Sequence, residues 1–393
     1  MTGVGTPPPA RPDHHEPDQF VGSMPDDAVH RHAYVDNLKV ILVIGVIVGH
    51  TMMAWTGIGT WVFDEPPVRE PMLSILSLFL IGSFFGMAVF FAIAGMFTPP
   101  SLARKGLRRF LSHRALRLGF PMLFFVLALS PFVEYVDPDN AGWDRGFGSF
   151  VLEIWWPPVP GPTWFLGVLL VFSTMYALAR SIWRRHQNVS APPPPRYLAM
   201  AVALATVATY LVRLATPLGE ELWHLAIGQA PGWVIGFSIG ILGAERGWFD
   251  PINPTIVRVA RTAGVIAIAL SATVLIGAGV TGADLKVFAG GGTLQSFVVS
   301  MLEGTLVVTM PLWLLDAFRR RYNRQGRVAR VMSRSAFAAF VLHQLVLVGL
   351  VLASREVTWP PEVEFLLVSA LGVVGSFGLG ALALRLPGIS RIV

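Results

Sequence analysis

The stretch YVDNLKVILVIGVIVGH, residues 34–50, decides the fold of this chain. All nine residues between Lys39 and Gly49 are aliphatic or glycine, and the apolar run continues to about residue 54. A run of this length approaches the ~20 residues that an α-helix needs to cross a hydrocarbon core ~30 Å thick. The stretch therefore predicts a membrane-spanning helix that carries polar groups at Asp36, Lys39 and His50.

The composition of the whole chain indicates that its solvent is a bilayer. Of its 393 residues, 53% are hydrophobic and only 14% are charged, and the mean hydropathy is +0.60. A chain this apolar cannot hide its surface in one soluble core. The chain contains no cysteine, which excludes disulfides, thiolate nucleophiles and zinc–thiolate sites.

Ten runs are long and apolar enough to be membrane-spanning helices. They are continuous and do not alternate apolar with polar residues, which excludes a closed β-barrel. We therefore predict an all-α polytopic membrane protein with about ten transmembrane helices. The predicted spans lie at about residues 38–54, 72–97, 117–136, 163–183, 197–215, 223–243, 262–281, 295–316, 336–353 and 364–384.

The distribution of Lys and Arg predicts how these helices are oriented. The N-terminal segment through Lys39, alternate connections and the C-terminus hold 24 of the 30 basic residues, whereas the opposite face holds five. By the positive-inside rule both termini should be cytoplasmic, which requires an even number of spans. Because the basic residues form short clusters between apolar runs, we expect the bilayer as partner and no nucleic acid.

Three parts follow one another along the chain. Residues 1–33 are rich in Pro, Asp and His and are expected to form a disordered cytoplasmic tail, in which His14 and His15 are solvated. Residues 34–386 should form the ten-helix domain, and residues 387–393 a short cytoplasmic C-terminus. The first apolar run lacks the features of a cleavable signal peptide, so we expect a multi-pass protein of the cell (plasma or inner) membrane.

Three polar residues of the first span share one helical face. At about 100° per residue, Asp36, Lys39 and His50 fall within about 60° of one another. Eleven residues at about 1.5 Å place His50 roughly 16 Å beyond Lys39, well inside the bilayer. A neutral histidine there can accept a proton from a hydroxyl group as a general base. The alternative is a neutral histidine that only bonds a neighbouring helix.

Basic residues crowd the connection between the second and third spans. Arg114 and Arg117 are spaced i,i+3 and present two guanidinium groups on one side of the third span. Planar guanidinium groups suit phosphate, and a coenzyme A donor carries several phosphates. From the spacing alone, the two arginines could equally well be charges that only set the orientation of the helices in the membrane.

Other polar groups are candidates to support a site. His343 lies in the ninth span and Glu303 near the middle of the eighth. An unpaired, ionised Glu303 would be costly, so we expect it to orient a histidine or to bond another helix. Trp164 opens the fourth span at the interface, and the small residues around Gly95 permit close helix approach.

The longest outer loop, residues 137–162, combines acidic residues, tryptophans and prolines. Such a segment can lie at headgroup level and cover an opening, although an aromatic belt explains its tryptophans equally well. Its acidic residues and tryptophans are Asp137, Asp139, Asp144, Glu153, Trp143, Trp155 and Trp156.

Taken in order, these motifs resemble the integral-membrane acyltransferase family three, O-acyltransferases that act on cell-envelope and secreted glycans and other small molecules. Lys39 and His50 match its Arg/Lys-x10-His motif, and the segment from Arg114 to Arg117 matches its Arg-x-x-Arg motif. The resemblance covers about residues 34–350.

Further segments carry the same resemblance. They are the start of the first span from Tyr34 to Lys39, the end of the second span, the Trp-Phe-Leu opening at Trp164 and the Leu342-His343 pair. Ala94 departs from the family because a serine often stands there, and we expect no esterase-like domain after the last span. The segment from Phe91 through Pro121 is similar to the glucan-succinylating branch, which leaves acetyl and succinyl groups open.

The resemblance implies an acyl-CoA-dependent O-acyltransferase. His50 would activate the acceptor hydroxyl or transiently carry the acyl group. Acyl-CoA would be a co-substrate, with no permanently bound cofactor and no metal, and the acceptor would be a glycan or another hydroxyl-bearing molecule. The residues expected to hold the donor are Lys39, Arg114 and Arg117, and those expected to support the site are Asp36, Glu303, His343 and Trp164.

Two other classes of function fit the same residues. A proton-coupled transporter or flippase would also bury His, Glu and Arg among ten spans, although the sequence shows no inverted repeat or matched pair of broken helices. A non-catalytic membrane scaffold would use these residues only for helix packing. The oligomeric state stays open.

Overall fold

A computed structural model describes residues 2–3, 33–57, 61–137, 146–153, 155, 158–183 and 193–389. Within these ranges the protein is helical, and the extended backbone amounts to one isolated bridge between Leu222 and Leu225. The all-α prediction is therefore confirmed. Nearly all of the predicted N-terminal tail, the loop residues Asp139, Trp143, Asp144 and Trp156, and residues 390–393 lie outside the described residues.

Thirteen α-helices occur in these ranges, and we number them in chain order. They are α1 Ala33–Thr56, α2 Glu70–Arg114, α3 Phe120–Phe124, α4 Ser130–Tyr135, α5 Gly146–Glu153, α6 Trp164–Ile182, α7 Pro195–Arg213, α8 Ala230–Arg246, α9 Pro254–Thr281, α10 Lys286–Ala289, α11 Leu294–Arg321, α12 Arg327–Ser354 and α13 Pro361–Ala383.

Nine helical segments of the described chain are long and apolar enough to cross a membrane. One of them, Glu70–Tyr135, has 66 residues and would measure about 99 Å if it were straight. It is interrupted at Gly106, whose φ of 70° and ψ of 164° are not helical. The Arg114 guanidinium donates to Thr98 Oγ1 at 3.1 Å, so the chain reverses between these residues. The segment therefore contains both the second and the third predicted spans, and the nine segments accommodate ten crossings.

Two π-helical segments interrupt the third span, at Ala115–Gly119 and Phe125–Leu129. Pro121 and Pro131 follow them and lack the N–H that would bond the carbonyl oxygen four residues earlier. The helix accommodates each missing hydrogen bond by widening locally. Arg117 consequently lies on a widened turn of the helix.

Helices α2 and α8 pack with their backbones in close contact, and glycines make this possible. A Cβ atom added to Gly236 or Gly240 would collide with the carbonyl oxygens of Ala88 or Ala92, and one added to Gly95 would collide with that of Phe237. Small residues at a spacing of four allow such close approach in membranes. This packing fixes the position of the aromatic side chains of α2 that lie beside the candidate site.

Residue Asn37 ties the start of α1 to the connection between α11 and α12. Its side-chain amide donates to the carbonyl oxygens of Tyr322 and Arg324 at 2.7 and 3.0 Å and accepts from Gln325 at 3.1 Å. This contact places Lys39 and the arginine-rich connection at one end of the bundle, which we call the basic end. It is the end that the charge distribution predicts to be cytoplasmic.

We predict that Gly240→Ala lowers the free energy of unfolding by about 1–3 kcal/mol, because the new methyl group forces two helix backbones apart. Gly277→Ala in α9 is the matched control, since no atom lies within 4 Å of its added Cβ. The control should be neutral or slightly stabilised, as alanine favours a helix by about 1 kcal/mol over glycine. Thermal unfolding of both purified variants measures the difference. Equal melting temperatures would contradict the close packing of α2 on α8.

Candidate functional site

The histidine predicted to be catalytic lies on α1, eleven residues beyond Lys39 and the basic end. His50 is partly buried, and its Nδ1 lies 2.9 Å from the carbonyl oxygen of Val46, one turn earlier. Lys39, eleven residues before it, is roughly 16 Å away along the helix axis. The imidazole is thus held in place by a carbonyl oxygen of its own helix.

A second histidine, His343 of α12, contacts the first. Its Nε2 lies 3.2 Å from Nδ1 of His50, and the two ring centroids are 4.9 Å apart. Its Nδ1 lies 2.6 Å from the carbonyl oxygen of Phe340, and the side chain is fully buried. Two candidate residues separated by 293 positions are therefore brought together.

These contacts assign the tautomers of both rings. A carbonyl oxygen can only accept a hydrogen bond, so Nδ1 of His343 carries a proton and its Nε2 is an acceptor. Nδ1 of His50 faces both the Val46 carbonyl oxygen and this acceptor, so it also carries a proton. Nε2 of His50 then keeps its lone pair and has no hydrogen-bond partner in the described part of the chain. That atom is available to take a proton or to attack an electrophile.

The loop after α1 folds back over His50. The indole ring of Trp61 lies 5.2 Å from the imidazole, centroid to centroid, at an angle of 44°. Its Nε1–H is buried and has no hydrogen-bond partner among the described residues. An unpaired buried donor is costly, so this group is a candidate to bind substrate. The sequence offered no sign of this contact, since a tryptophan in an outer loop equally suits the membrane interface.

Three contacts hold this loop in place. Glu65 N donates to the Ala54 carbonyl oxygen at 2.8 Å, and its carboxylate pairs with Arg355 at 2.6 Å. Val68 N donates to the Trp55 carbonyl oxygen at 3.1 Å. The loop is therefore anchored to both α1 and the end of α12, and Trp61 is held beside the histidine pair.

A layer of aromatic rings separates the histidines from the basic end. The Phe90 ring lies 5.7 Å from Phe165 and 6.5 Å from Phe340, and Phe340 lies 5.9 Å from His343. Phe90 precedes Phe97, which contacts Lys39, by seven residues, or about 10 Å of helix. The layer therefore lies roughly 6 Å nearer to the basic end than His50 does.

The predicted donor-binding residues lie at the basic end. Lys39 pairs with Asp36 at 3.2 Å, and its ammonium group lies 5.3 Å from the Phe97 ring centroid. Arg114 bonds Thr98, the residue after Phe97. Lys39 and Arg114 are thus held at the same end of α2, and Arg117 is exposed three residues further on.

Glu303 and Trp164, like Asp36, make their contacts with residues other than the two histidines. Glu303 of α11 forms a fully buried ion pair with Arg213 of α7, and Arg213 also donates to the Gly228 carbonyl oxygen at 3.2 Å. Trp164 packs against Trp233 at 4.5 Å and against Phe165. Glu303 therefore bonds another helix and does not orient His50 or His343.

We predict that Glu303→Leu lowers the free energy of unfolding by about 3–5 kcal/mol, because it leaves the Arg213 guanidinium buried without a counter-charge. The double variant Arg213→Met/Glu303→Leu should recover most of this loss, since no charge is then buried. Thermal unfolding of both purified variants tests the expectation. A single variant as stable as the unaltered protein would show that the pair carries no such penalty.

Comparison with known proteins adds one finding of similarity. A family model described as an acyltransferase domain matches residues 32–383, which include every helix of the bundle. The search of curated proteins and the search of solved structures found no match.

Proposed function

Because this chain belongs to the acyltransferase family whose domain covers residues 32–383, we propose that it transfers an acyl group from acyl-CoA to a hydroxyl group of a glycan or another envelope or secreted acceptor. The acyl group of the proposal is acetyl or succinyl. The donor binds at the basic end, and the acceptor approaches His50 from the opposite end.

The observation that carries this proposal is the unpaired Nε2 of His50. Acyl transfer to a hydroxyl requires a base of suitable strength within reach of the reacting oxygen. The Nδ1 proton of His50 is bonded to the Val46 carbonyl oxygen, which directs the lone pair to Nε2. His343 accepts from the same Nδ1 and would stabilise the positive charge that forms on the ring.

Donor binding follows from the distance between the basic end and His50. The pantetheine arm of coenzyme A is about as long as four extended residues, or roughly 14 Å. Lys39 and Arg114 at the basic end, with Arg117 beside them, would hold the phosphates through charge-assisted hydrogen bonds. An arm extended from there brings the thioester close to His50, which lies roughly 16 Å beyond Lys39. The arm would pass the aromatic layer of Phe90, Phe165 and Phe340.

The chemical step uses His50 and Trp61. Nε2 of His50 takes the proton of the acceptor hydroxyl as its oxygen attacks the thioester carbon. A C–O bond forms, the C–S bond breaks, and the proton leaves with the thiolate as coenzyme A. The Nε1–H of Trp61 would donate to the oxyanion that develops on the carbonyl oxygen.

We predict that His50→Gln lowers the rate of acyl transfer about 10²- to 10⁴-fold, the usual loss when a general base is removed. The rate is measured as the release of coenzyme A thiol from acetyl-CoA and succinyl-CoA by protein in proteoliposomes. His224→Asn is the control, because His224 is exposed in a different loop. Unchanged turnover in His50→Gln, with an unchanged melting temperature, would refute the proposal. If acylated His50 accumulates in the unaltered protein, His50 acts as a nucleophile and not as a general base.

We predict that Trp61→Phe lowers kcat by about 10²-fold with little change in KM, since it removes a donor used mainly in the transition state. Phenylalanine keeps the ring beside His50, so melting temperature should be nearly unchanged. Trp223→Phe is the matched control, because Trp223 is 86% exposed. A kcat equal to that of the control would show that the indole N–H does not take part.

A further inference from the structure

The first two turns of α12 carry three exposed arginines that the proposed reaction does not use. They are Arg327, Arg330 and Arg334, which we call the arginine strip. None of the three has an acidic partner among the described residues, unlike Arg319 and Arg320, which pair with Asp250 and Asp316. We propose that the arginine strip binds the phosphate headgroup of an anionic phospholipid in the leaflet at the basic end.

The strip faces away from the candidate site. At about 100° per residue, all three arginines lie within about 40° of the direction opposite to His343 on the same helix. His343 faces His50 and the centre of the bundle. The arginines therefore face outward, and they are separate from the residues at Lys39 and Arg114 that the proposed function assigns to the donor.

The depth of the strip matches that of lipid headgroups. Helix α12 has 28 residues and is about 42 Å long, which exceeds a hydrocarbon core of ~30 Å by about eight residues. The buried, apolar part of α12 begins at Ser335. The eight residues before it, 327–334, thus extend beyond the core and hold the whole strip.

The charge around the strip is complementary to phosphate. No acidic residue occurs in the sequence between Asp316 and Glu356. The positive end of the helix dipole adds to the charge of the three arginines, so an anion there would relieve their mutual repulsion. Guanidinium groups bind phosphate oxygens in pairs, which suits a lipid phosphodiester.

Neighbouring apolar side chains favour a lipid over a free phosphate. Val328 and Val331 alternate with the arginines and are 71% and 51% exposed. Apolar groups beside basic groups at a helix end are typical of contacts with the membrane interface. A lipid satisfies both, because its phosphate meets the arginines while its upper chain covers the valines.

The test compares full-length protein in nanodiscs of phosphatidylcholine with and without phosphatidylglycerol. Each arginine near an anionic membrane surface contributes about a fivefold change in affinity. We therefore expect R327Q/R330Q/R334Q to lose at least about tenfold of the preference for bound phosphatidylglycerol, measured by native mass spectrometry. The matched control R196Q/R258Q/R261Q removes three exposed arginines from other helix starts at the same end and should keep the preference.

Several results would overturn the proposal. An equal loss in both triple variants would mean that net charge alone attracts the lipid. Full preference in the strip variant would mean that the lipid binds elsewhere. Inorganic phosphate could also be added to protein in pure phosphatidylcholine. If it stabilises the protein as much as phosphatidylglycerol does, the site binds free phosphate. If the triple variant does not fold, the three single variants replace it, and full preference in all three would overturn the proposal.

Discussion

A hydrocarbon core offers no hydrogen bonds, so each polar group inside it must find its partner within the protein. The histidine pair meets this requirement through a chain of contacts. The Phe340 carbonyl oxygen accepts from His343, and His343 and the Val46 carbonyl oxygen accept from His50. One acceptor atom, Nε2 of His50, is left over. The proposed chemistry depends on that atom.

Other contacts in the bundle also pair buried charges or hold the surroundings of His50 in place. Glu303 and Arg213 neutralise each other where a single charge would be very costly. Close contact of α2 with α8 through Gly236 and Gly240 places Phe90 in the aromatic layer between the histidines and the basic end. The ion pair between Glu65 and Arg355 anchors the loop after α1, so Trp61 is held against His50. Polar pairs and rigid packing together hold the His50 imidazole in position.

Much of this architecture could be predicted from the sequence, because it follows from local patterns. Apolar runs of about twenty residues identify the spans, the i,i+11 spacing of Lys39 and His50 gives their separation, and the small residues around Gly95 indicate close helix approach. Contacts between helices could not be predicted in this way. Nothing in the local sequence shows that His343 contacts His50, that Trp61 packs against His50, or that Glu303 pairs with Arg213. These contacts depend on which helices become neighbours, and that is a property of the whole bundle.

In the proposed reaction, a donor anchored at the basic end reaches His50 through the aromatic layer. The most direct measurement is a cryo-electron microscopy structure of the protein bound to a non-hydrolysable thioether analogue of acetyl-CoA. We expect the phosphates beside Lys39 and Arg114 and the sulfur atom on the His50 side of Phe90 and Phe340. Phosphates bound at the opposite end, or a sulfur atom that stops on the basic side of the aromatic layer with His50 out of reach, would contradict it.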